Sequence, residues 1–209
     1  MTKQLNTIII FSFFIITGLL ISAINPHDYF TWFLEVAPAI IVLLILLLTY
    51  KSFPLSNLLY TLIVIHAYIL FIGGHYTYAK VPLFDWIKDY FHQERNNFDK
   101  LGHFAQGFVP AIAAREILLR KMVVDKKAWL SFIIISICLA FSAFYELIEA
   151  FVAIATGDSA EAFLGTQGYV WDTQTDMFLA LVGSVTGLIV LPKIHDHSLA
   201  VITREKTLL

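Results

Sequence analysis

The sequence predicts an all-α fold: a polytopic membrane helical bundle with six transmembrane helices and both termini in the cytoplasm. The 209 residues are 58% apolar and only 14% charged, a composition typical of membrane proteins. The apolar residues fall in long blocks, and the basic residues are divided unevenly between the connections that join these blocks. The chain is therefore interpreted as a single integral membrane domain covering residues 1–209.

Each predicted helix is a block long enough to cross a bilayer. A hydrocarbon core about 30 Å thick requires roughly 20 mostly apolar residues per helix. The predicted spans are residues 6–24, 31–50, 56–78, 100–119, 128–154 and 173–192. The first span is not interpreted as a secretory signal, because it is long enough to span and no clear A-x-A cleavage pattern follows it.

The distribution of lysine and arginine between the connections indicates the orientation of the chain in the membrane. If the N-terminus is cytoplasmic, ten of the 14 basic residues lie inside and four lie outside. Cytoplasmic connections of membrane proteins carry such an excess. The connection "RKMVVDKKAW" is strongly basic, whereas residues 155–172 contain no lysine or arginine. The connections 79–99 and 155–172 are therefore predicted to be extracytoplasmic.

Polar residues within or beside the last three spans gather toward this predicted outer face. Each of these helices carries two ionisable residues at a spacing of three or four, which places them on one face of the helix. The pairs are Asp99 and His103, Glu146 and Glu149, and Asp172 and Asp176. A charged side chain at the bilayer centre costs roughly 2.5–3.5 kcal/mol, so such residues face the bundle interior and indicate function.

These carboxylates and the imidazole predict a metal site. Acids at similar depth repel one another unless a bound cation, a shared proton, or the nearby Lys100 and His103 neutralise them. Oxygen and nitrogen ligands on facing helices favour zinc, manganese or iron. A divalent metal ion is therefore the predicted cofactor, and catalytic roles are predicted for Glu146, Glu149 and His103. The predicted metal ligands are Asp99, His103, Glu146, Glu149, Asp172 and Asp176.

Some of these residues have a structural alternative. Asp99 and Asp172 stand just before apolar runs, so each is also interpretable as a helix N-cap. His103 is also interpretable as a hydrogen-bonded bundle histidine. Glu146 and Glu149 lie about 12 Å and 7 Å below the predicted end of their helix. Neither capping nor an interfacial position explains glutamates at that depth.

Four further features are interpreted from their positions. Glu35 lies near the outer end of the second span, where it is either solvated or functional, and His66 is predicted to be a packing residue without a polar companion. The small residues of "GSVTG", residues 183–187, indicate close helix packing. Within residues 81–98, apolar residues that include Phe84 recur at helical spacing and predict an amphipathic surface helix, which is positioned to cover the polar face.

The chain resembles a known family at these same residues. The runs "FDKLGHFAQGFVPA", "FYELIEA" and "WDTQTDMFLALVGS" resemble the YjdF family of bacterial inner-membrane proteins, which has no assigned reaction. More loosely, they resemble VanZ-like membrane proteins. The VanZ-like pattern is matched by Asp99, Lys100, His103, Phe104, Glu146 or Glu149, Asp172 and Gly183, while Asp176 replaces an asparagine. The resemblance implies a multi-pass protein of the bacterial inner membrane that acts in the cell envelope.

Two classes of function follow from this site. In the first, the protein is a metal-dependent hydrolase or transferase in which a carboxylate is the general base, acting on a lipid or envelope-precursor head group. In the second, the cluster is a non-catalytic site for a cation, a proton or a lipid head group in a carrier or accessory protein. Membrane lipids are the predicted partners. The net charge of -2 and the absence of a basic stripe exclude nucleic acid.

Overall fold

The computed structural model describes residues 2–124, 127–156, 161–164 and 166–207, and no β-strand occurs among them. The predicted all-α class is confirmed. The helices are α1 (Thr2–Ser22), α2 (Tyr29–Thr49), α3 (Asn57–Tyr76), α4 (Pro82–Tyr90), α5 (Phe98–Arg120), α6 (Lys127–Thr156), α7 (Glu161–Leu164), α8 (Asp172–Val190) and α9 (Pro192–Thr207). The predicted spans correspond to α1, α2, α3, α5, α6 and α8, with ends that differ by a few residues.

Five of these helices, α1, α2, α3, α6 and α8, are long and apolar enough to cross a membrane. The helix α5 is not among them, although it contains 23 residues. It carries acidic and basic residues near both ends and packs against α3, α6 and α8. A helix enclosed by other helices requires less lipid-facing apolar surface. The count of six spans therefore stays a prediction.

The helices α5 and α8 pack against each other more extensively than any other helix pair in the described part of the chain. A Cβ atom added to Gly107 would overlap the carbonyl oxygen of Ala180, and one added to Gly183 would overlap the carbonyl oxygen of Phe104. The predicted close packing of residues 183–187 is thus confirmed, because no side chain fits between the two backbones. This contact brings the polar residues at the start of α8 against those at the start of α5.

One end of the bundle, here called the site end, is where α1, α3 and α6 end and α2, α5 and α8 begin. His75 at the end of α3 donates from its ring Nδ1 to the carbonyl oxygen of Ser22 at 2.9 Å. Asp28 caps α2 by accepting from the Thr31 backbone N–H at 2.6 Å, and this hydrogen bond holds the pKa of Asp28 below its usual range. These contacts fix α1, α2 and α3 to one another beside the site.

The helix α4 confirms the predicted surface helix at the site end, but its exposed face differs from the expected one. Phe84 turns inward and packs against Phe98, with ring centroids 5.2 Å apart. Asn96 ties α4 to the start of α5, because its Nδ2 donates to the Val81 carbonyl and to Asp85 Oδ1, each at 3.0 Å. The exposed apolar residues are Leu83, Trp86, Tyr90 and Phe91.

At the opposite end of the bundle, the C-terminal helix α9 docks on α5 through a buried carboxylate. Glu116 Oε2 lies 3.1 Å from His195 Nε2, while its Oε1 accepts from the Ser56 backbone N–H at 2.9 Å and from Arg120 Nη1 at 2.6 Å. The side chains of Glu116 and His195 are both fully buried. The polar composition of α9 gave no sign of this docked helix in the sequence.

Candidate metal centre

Three of the predicted ligands come together at the site end. Asp99 and His103 lie one turn apart on α5, and Asp176 lies in the second turn of α8. One ligand atom from each residue lies within 4.8 Å of the others, and all three side chains are buried. This group is called the Asp-His-Asp triad below.

The helix starts decide the capping alternative for two of the acids. Asn97 is the N-cap of α5, and Trp171 is the N-cap of α8. Asp99 and Asp172 therefore lie inside the first turns of their helices, and the N-cap interpretation was wrong for both. Their negative charges at the N-terminal ends still interact favourably with the helix dipoles.

The spacing of the triad suits a small cation. His103 Nε2 lies 3.2 Å from Asp99 Oδ1 and 3.9 Å from Asp176 Oδ2. Nitrogen and oxygen ligands that are each about 2.0–2.2 Å from one zinc-like ion lie roughly 3–4 Å from one another. One divalent ion can therefore contact all three residues with only small side-chain adjustments.

The hydrogen bond on the far side of the imidazole orients His103 as a ligand. His103 Nδ1 lies 2.9 Å from Gln106 Oε1, and because an amide oxygen only accepts, Nδ1 carries the proton and donates. Nε2 then faces Asp99 and Asp176, where it donates to Asp99 when the ring is protonated and offers its lone pair to a cation when the ring is neutral. An outer hydrogen bond of this kind commonly fixes the tautomer of a metal-binding histidine.

Glu146 reaches the same histidine from α6. Its Oε1 lies 3.8 Å from His103 Nδ1, which is too long for a hydrogen bond. Among the described residues, Glu146 Oε1 and Asp176 Oδ1 are buried oxygens without a hydrogen-bond partner. Buried polar atoms in folded proteins are nearly always satisfied by protein, water or a ligand, so these two oxygens are available to a bound water, ion or substrate atom.

Asp172, which is also a predicted ligand, is paired with an arginine. Arg95 Nη1 lies 2.5 Å from Asp172 Oδ1, and Nη2 lies 3.7 Å from Asp99 Oδ2. The sequence did not single out Arg95, because it precedes α5 in a connection. Lys100, which was expected to neutralise the acids, has its Nζ 5.9 Å from the ring centroid of Tyr169.

The connection that carries Arg95 is fixed against the segment before α8. Arg95 Nη1 donates to the Thr166 carbonyl at 3.2 Å. The Asn96 backbone N–H donates to Gln167 Oε1 at 3.0 Å, and Gln167 Nε2 donates to the Asn96 carbonyl at 2.8 Å. This reciprocal pairing holds the guanidinium beside the triad.

A cavity of about 80 Å³ adjoins the triad and receives side chains from α2, α3, α5 and α6. Its polar lining consists of Glu35, His66, Tyr78, Asp99, His103, Gln106, Tyr145 and Glu149. Tyr145 donates from its hydroxyl to Glu35 Oε2 at 3.4 Å. The expectation that His66 has no polar companion was wrong, and Glu35 is buried instead of solvated.

The distance of a residue from the site end of its helix could have identified, from the sequence, the cavity residues outside the triad. His66 lies ten residues before the end of α3, or about 15 Å along the axis. Gln106 lies eight residues after the start of α5, or about 12 Å. Comparable depths place both side chains near the level predicted for Glu146, so depth matching across all spans predicts this cavity.

Comparison with known proteins agrees with the membrane fold. The family profile described as "Predicted membrane protein (DUF2238)" matches residues 7–197. The inner membrane protein YjdF of Escherichia coli (strain K12) is 51% identical over 181 residues, which are 87% of this chain and 87% of that protein. No solved structure matches significantly. The range matched by the profile includes all the residues of the triad and the cavity.

Proposed function

From the premise that the chain belongs to the DUF2238 family and is a multi-pass inner-membrane protein, we propose that it is a metal-dependent hydrolase or transferase. Its substrate would be a lipid or envelope-precursor head group. The family supplies the location and no reaction, so the proposal rests on the site. The observation that carries it is the Asp-His-Asp triad, which is buried together with two unpartnered carboxylate oxygens.

The composition of the triad supports a catalytic metal more than a structural one. Asp99, His103 and Asp176 would hold the ion, and three protein ligands leave coordination positions open for water or substrate. A divalent ion bound there would polarise a phosphoryl or carbonyl oxygen and lower the pKa of a bound water. Structural sites, in contrast, are usually closed by four protein ligands.

Glu146 is the proposed general base. Its Oε1 is buried, has no hydrogen-bond partner among the described residues, and lies 3.8 Å from the His103 ring. Because Glu146 lies on the Nδ1 side of the ring, it would accept a proton from a water molecule that extends from the triad toward α6 and not from one on the opposite side. Glu149 lines the adjoining cavity instead, which favours a binding role over the predicted catalytic one.

The position of the site supports a substrate drawn from the membrane surface. Asp99, Asp172 and Asp176 all lie in the first two turns of their helices, at most roughly 8 Å below the helix ends. The neighbouring helix α4 exposes Leu83, Trp86 and other apolar residues, as interfacial helices do. In the predicted orientation, this surface is the periplasmic one.

Metal content tests the triad directly. Full-length protein purified in detergent is loaded with Mn²⁺ or Zn²⁺, dialysed, and analysed for metal. We expect about one ion per chain for the wild type and a large loss for Asp176→Asn, since even the loss of an outer-shell partner typically weakens a metal site about 10–100-fold. The matched control is Asp196→Asn, an exposed carboxylate at the opposite end, which should keep its metal. Wild-type protein without metal would contradict the proposal.

A second candidate function is a non-catalytic cation or lipid head-group site in a carrier or accessory protein. The small size of the cavity, about 80 Å³, favours it, as does the absence of G-x-S-x-G and H-E-x-x-H motifs in the sequence.

Metal-loaded wild type and Glu146→Gln are incubated with short-chain phospholipids, and released products are measured by mass spectrometry. Turnover that is lost in Glu146→Gln supports the enzyme, whereas bound metal without wild-type turnover supports the second function.

A further inference from the structure

The cavity beside the triad is an acidic pocket, and no lysine or arginine occurs among the described residues that line it. Glu35 and Glu149 are 5% and 8% exposed, respectively. Glu35 accepts a long hydrogen bond, 3.4 Å from the Tyr145 hydroxyl, and also interacts with the Tyr78 hydroxyl, so its partners are neutral phenols and no cation. Among the described residues, no hydrogen bond or ion pair ends on Glu149. Because buried carboxylates require a cationic or hydrogen-bonding partner, this pocket is suited to a positively charged group.

The walls of the pocket favour an organic ammonium group over a bare metal ion. Tyr78 and Tyr145 both line the cavity, and aromatic rings attract ammonium groups through cation–π interactions. Pro38 and Leu70 add apolar surface that would contact methylene groups. The volume of about 80 Å³ exceeds the roughly 30 Å³ share of one water molecule and accommodates an aminoethyl group.

Arg95 provides a complementary binding group for an anion. Its Nη1 is used by Asp172 and the Thr166 carbonyl, but Nε and Nη2 are buried without a hydrogen-bond partner. The residue is 9% exposed. Nε and Nη2 form one edge of the guanidinium, which binds phosphate oxygens through two parallel hydrogen bonds. The nearest acid, Asp99 Oδ2, is 3.7 Å from Nη2 and leaves this edge unsatisfied.

Asp99 connects these two features, since it lines the acidic cavity and also lies next to Arg95. We propose that the site recognises a zwitterionic phosphate ester, with its ammonium group between Glu35 and Glu149 and its phosphate against the Nε–Nη2 edge of Arg95. The inference deepens the proposed function and rests on it for the chemistry at the phosphate. It identifies the substrate class as an aminoalkyl phosphate ester, either in a lipid head group or free in solution.

Selective binding tests the ammonium subsite. Full-length protein in detergent is titrated calorimetrically with dihexanoyl phosphatidylethanolamine, dihexanoyl phosphatidylglycerol and free phosphoethanolamine. We expect at least about tenfold tighter binding of phosphatidylethanolamine than of phosphatidylglycerol, because only the former carries a cation that pairs with the buried carboxylates. Tighter binding of the lipid than of phosphoethanolamine identifies a head-group ligand, and the reverse order identifies a soluble ester.

Variants separate the two ends of the ligand. Glu35→Gln and Glu149→Gln should each reduce the preference for phosphatidylethanolamine to less than about threefold, while Asp196→Asn keeps it. Arg95→Gln, made together with Asp172→Asn so that no buried charge is left unpaired, should weaken the binding of both lipids alike, because the phosphate is common to them. Two glutamate variants are used so that a folding defect in one leaves the test intact. Wild-type protein that binds the two lipids equally, or a preference unchanged in both variants, would overturn the inference.

Metal analysis of the same samples distinguishes the failure of this inference from that of the proposed function. If wild type and Glu35→Gln both bind metal but the wild type shows no lipid selectivity, the ammonium subsite is overturned and the metal centre is retained. Lipid selectivity in protein that binds no Mn²⁺ or Zn²⁺ supports the zwitterion site and overturns the metal-dependent reaction.

Discussion

At the scale of single residues, Arg95 offsets part of the negative charge collected at the site end. Six buried carboxylates lie there, and Arg95 is the only lysine or arginine that forms an ion pair with them among the described residues. The carboxylates are Glu35, Asp99, Glu146, Glu149, Asp172 and Asp176. Their mutual repulsion opposes folding unless cations or protons balance it. The guanidinium is therefore expected to stabilise the fold as well as the site.

Replacing this arginine should destabilise the protein substantially. In Arg95→Gln, Asp172 loses the partner 2.5 Å away, and breaking a buried ion pair typically costs about 3–5 kcal/mol. Adding Asp172→Asn to this variant should recover part of the loss, since the unpaired charge is removed. The free energy of unfolding in detergent is the measurement. Lys88→Gln, which alters partly exposed pairs on α4, is the control and should change it by less than about 1 kcal/mol. Equal effects of Arg95→Gln and Lys88→Gln would contradict the prediction.

The site residues that the sequence identified are those with a second ionisable residue three or four positions away on the same helix. The four-residue spacing of Asp99 and His103 and the depth of Glu146 were sufficient to single them out. Arg95 and Glu35 required three-dimensional packing, because one lies in a connection and the other on a helix distant in sequence. Spacing rules apply within a helix and carry no information about which helices become neighbours.

At the scale of secondary-structure elements, the α5–α8 contact sets the geometry of the triad. Gly183→Ala would force a methyl group against the Phe104 carbonyl, which directly follows His103 in the chain. Overpacking of this kind costs typically 1–3 kcal/mol. We expect a loss of about 2 kcal/mol in unfolding free energy together with weaker Mn²⁺ binding, because Asp176 moves away from α5.

Gly187→Ala provides a graded control for that substitution. Its added Cβ would lie 3.1 Å from the Phe108 carbonyl oxygen, a contact that a small adjustment relieves. It should therefore destabilise the protein less than Gly183→Ala and leave Mn²⁺ binding unchanged. Similar losses in the two variants would show that the contact does not position the triad.

The helix α4 is predicted to lie in the interface with one face toward lipid. Leu83 is 62% exposed on its apolar face, and the side chain of Asp89 is 77% exposed on its polar face. Spin labels attached to Leu83→Cys and Asp89→Cys in nanodiscs should differ, with Leu83 more accessible to oxygen and Asp89 more accessible to a water-soluble nickel complex. Equal accessibility to the two reagents would show that α4 does not rest on the bilayer.

Apolar length located α5 and the five helices that are long and apolar enough to cross a membrane, whereas the polar composition of α9 obscured that helix. The ends of α1, α2, α3, α6 and α8 follow the apolar blocks closely. The helix α9 carries many polar residues and was not predicted, because a buried pair, Glu116 with His195, anchors it in place of an apolar face. The enclosed helix α5 similarly carries charges that a lipid-exposed span would not tolerate.

At the scale of the whole molecule, α5 links two polar clusters at opposite ends of the bundle. His103 belongs to the triad and Glu116 to the α9 contact, and they are 13 residues apart on the helix, or about 20 Å. Between them, the helix presents Ala105, Gly107, Val109, Ala111 and Ile112 to the interior. This largely apolar middle separates the clusters and favours a site that opens to one side over a polar path through the membrane.

The orientation of the bundle decides whether the site opens to the periplasm or to the cytoplasm, and labelling of single introduced cysteines can determine this orientation. Val170 beside the site and Met122 between α5 and α6 are 85% and 82% exposed, whereas the native Cys138 is fully buried. The excess of basic residues near Met122 predicts that its side is cytoplasmic. In intact cells, a membrane-impermeant maleimide should therefore label Val170→Cys strongly and Met122→Cys only after the membrane is opened. The unsubstituted chain serves as the background control. Labelling of Met122→Cys alone in intact cells would invert the topology and place the metal centre at the cytoplasmic surface, where its substrate would have to come from the inner leaflet.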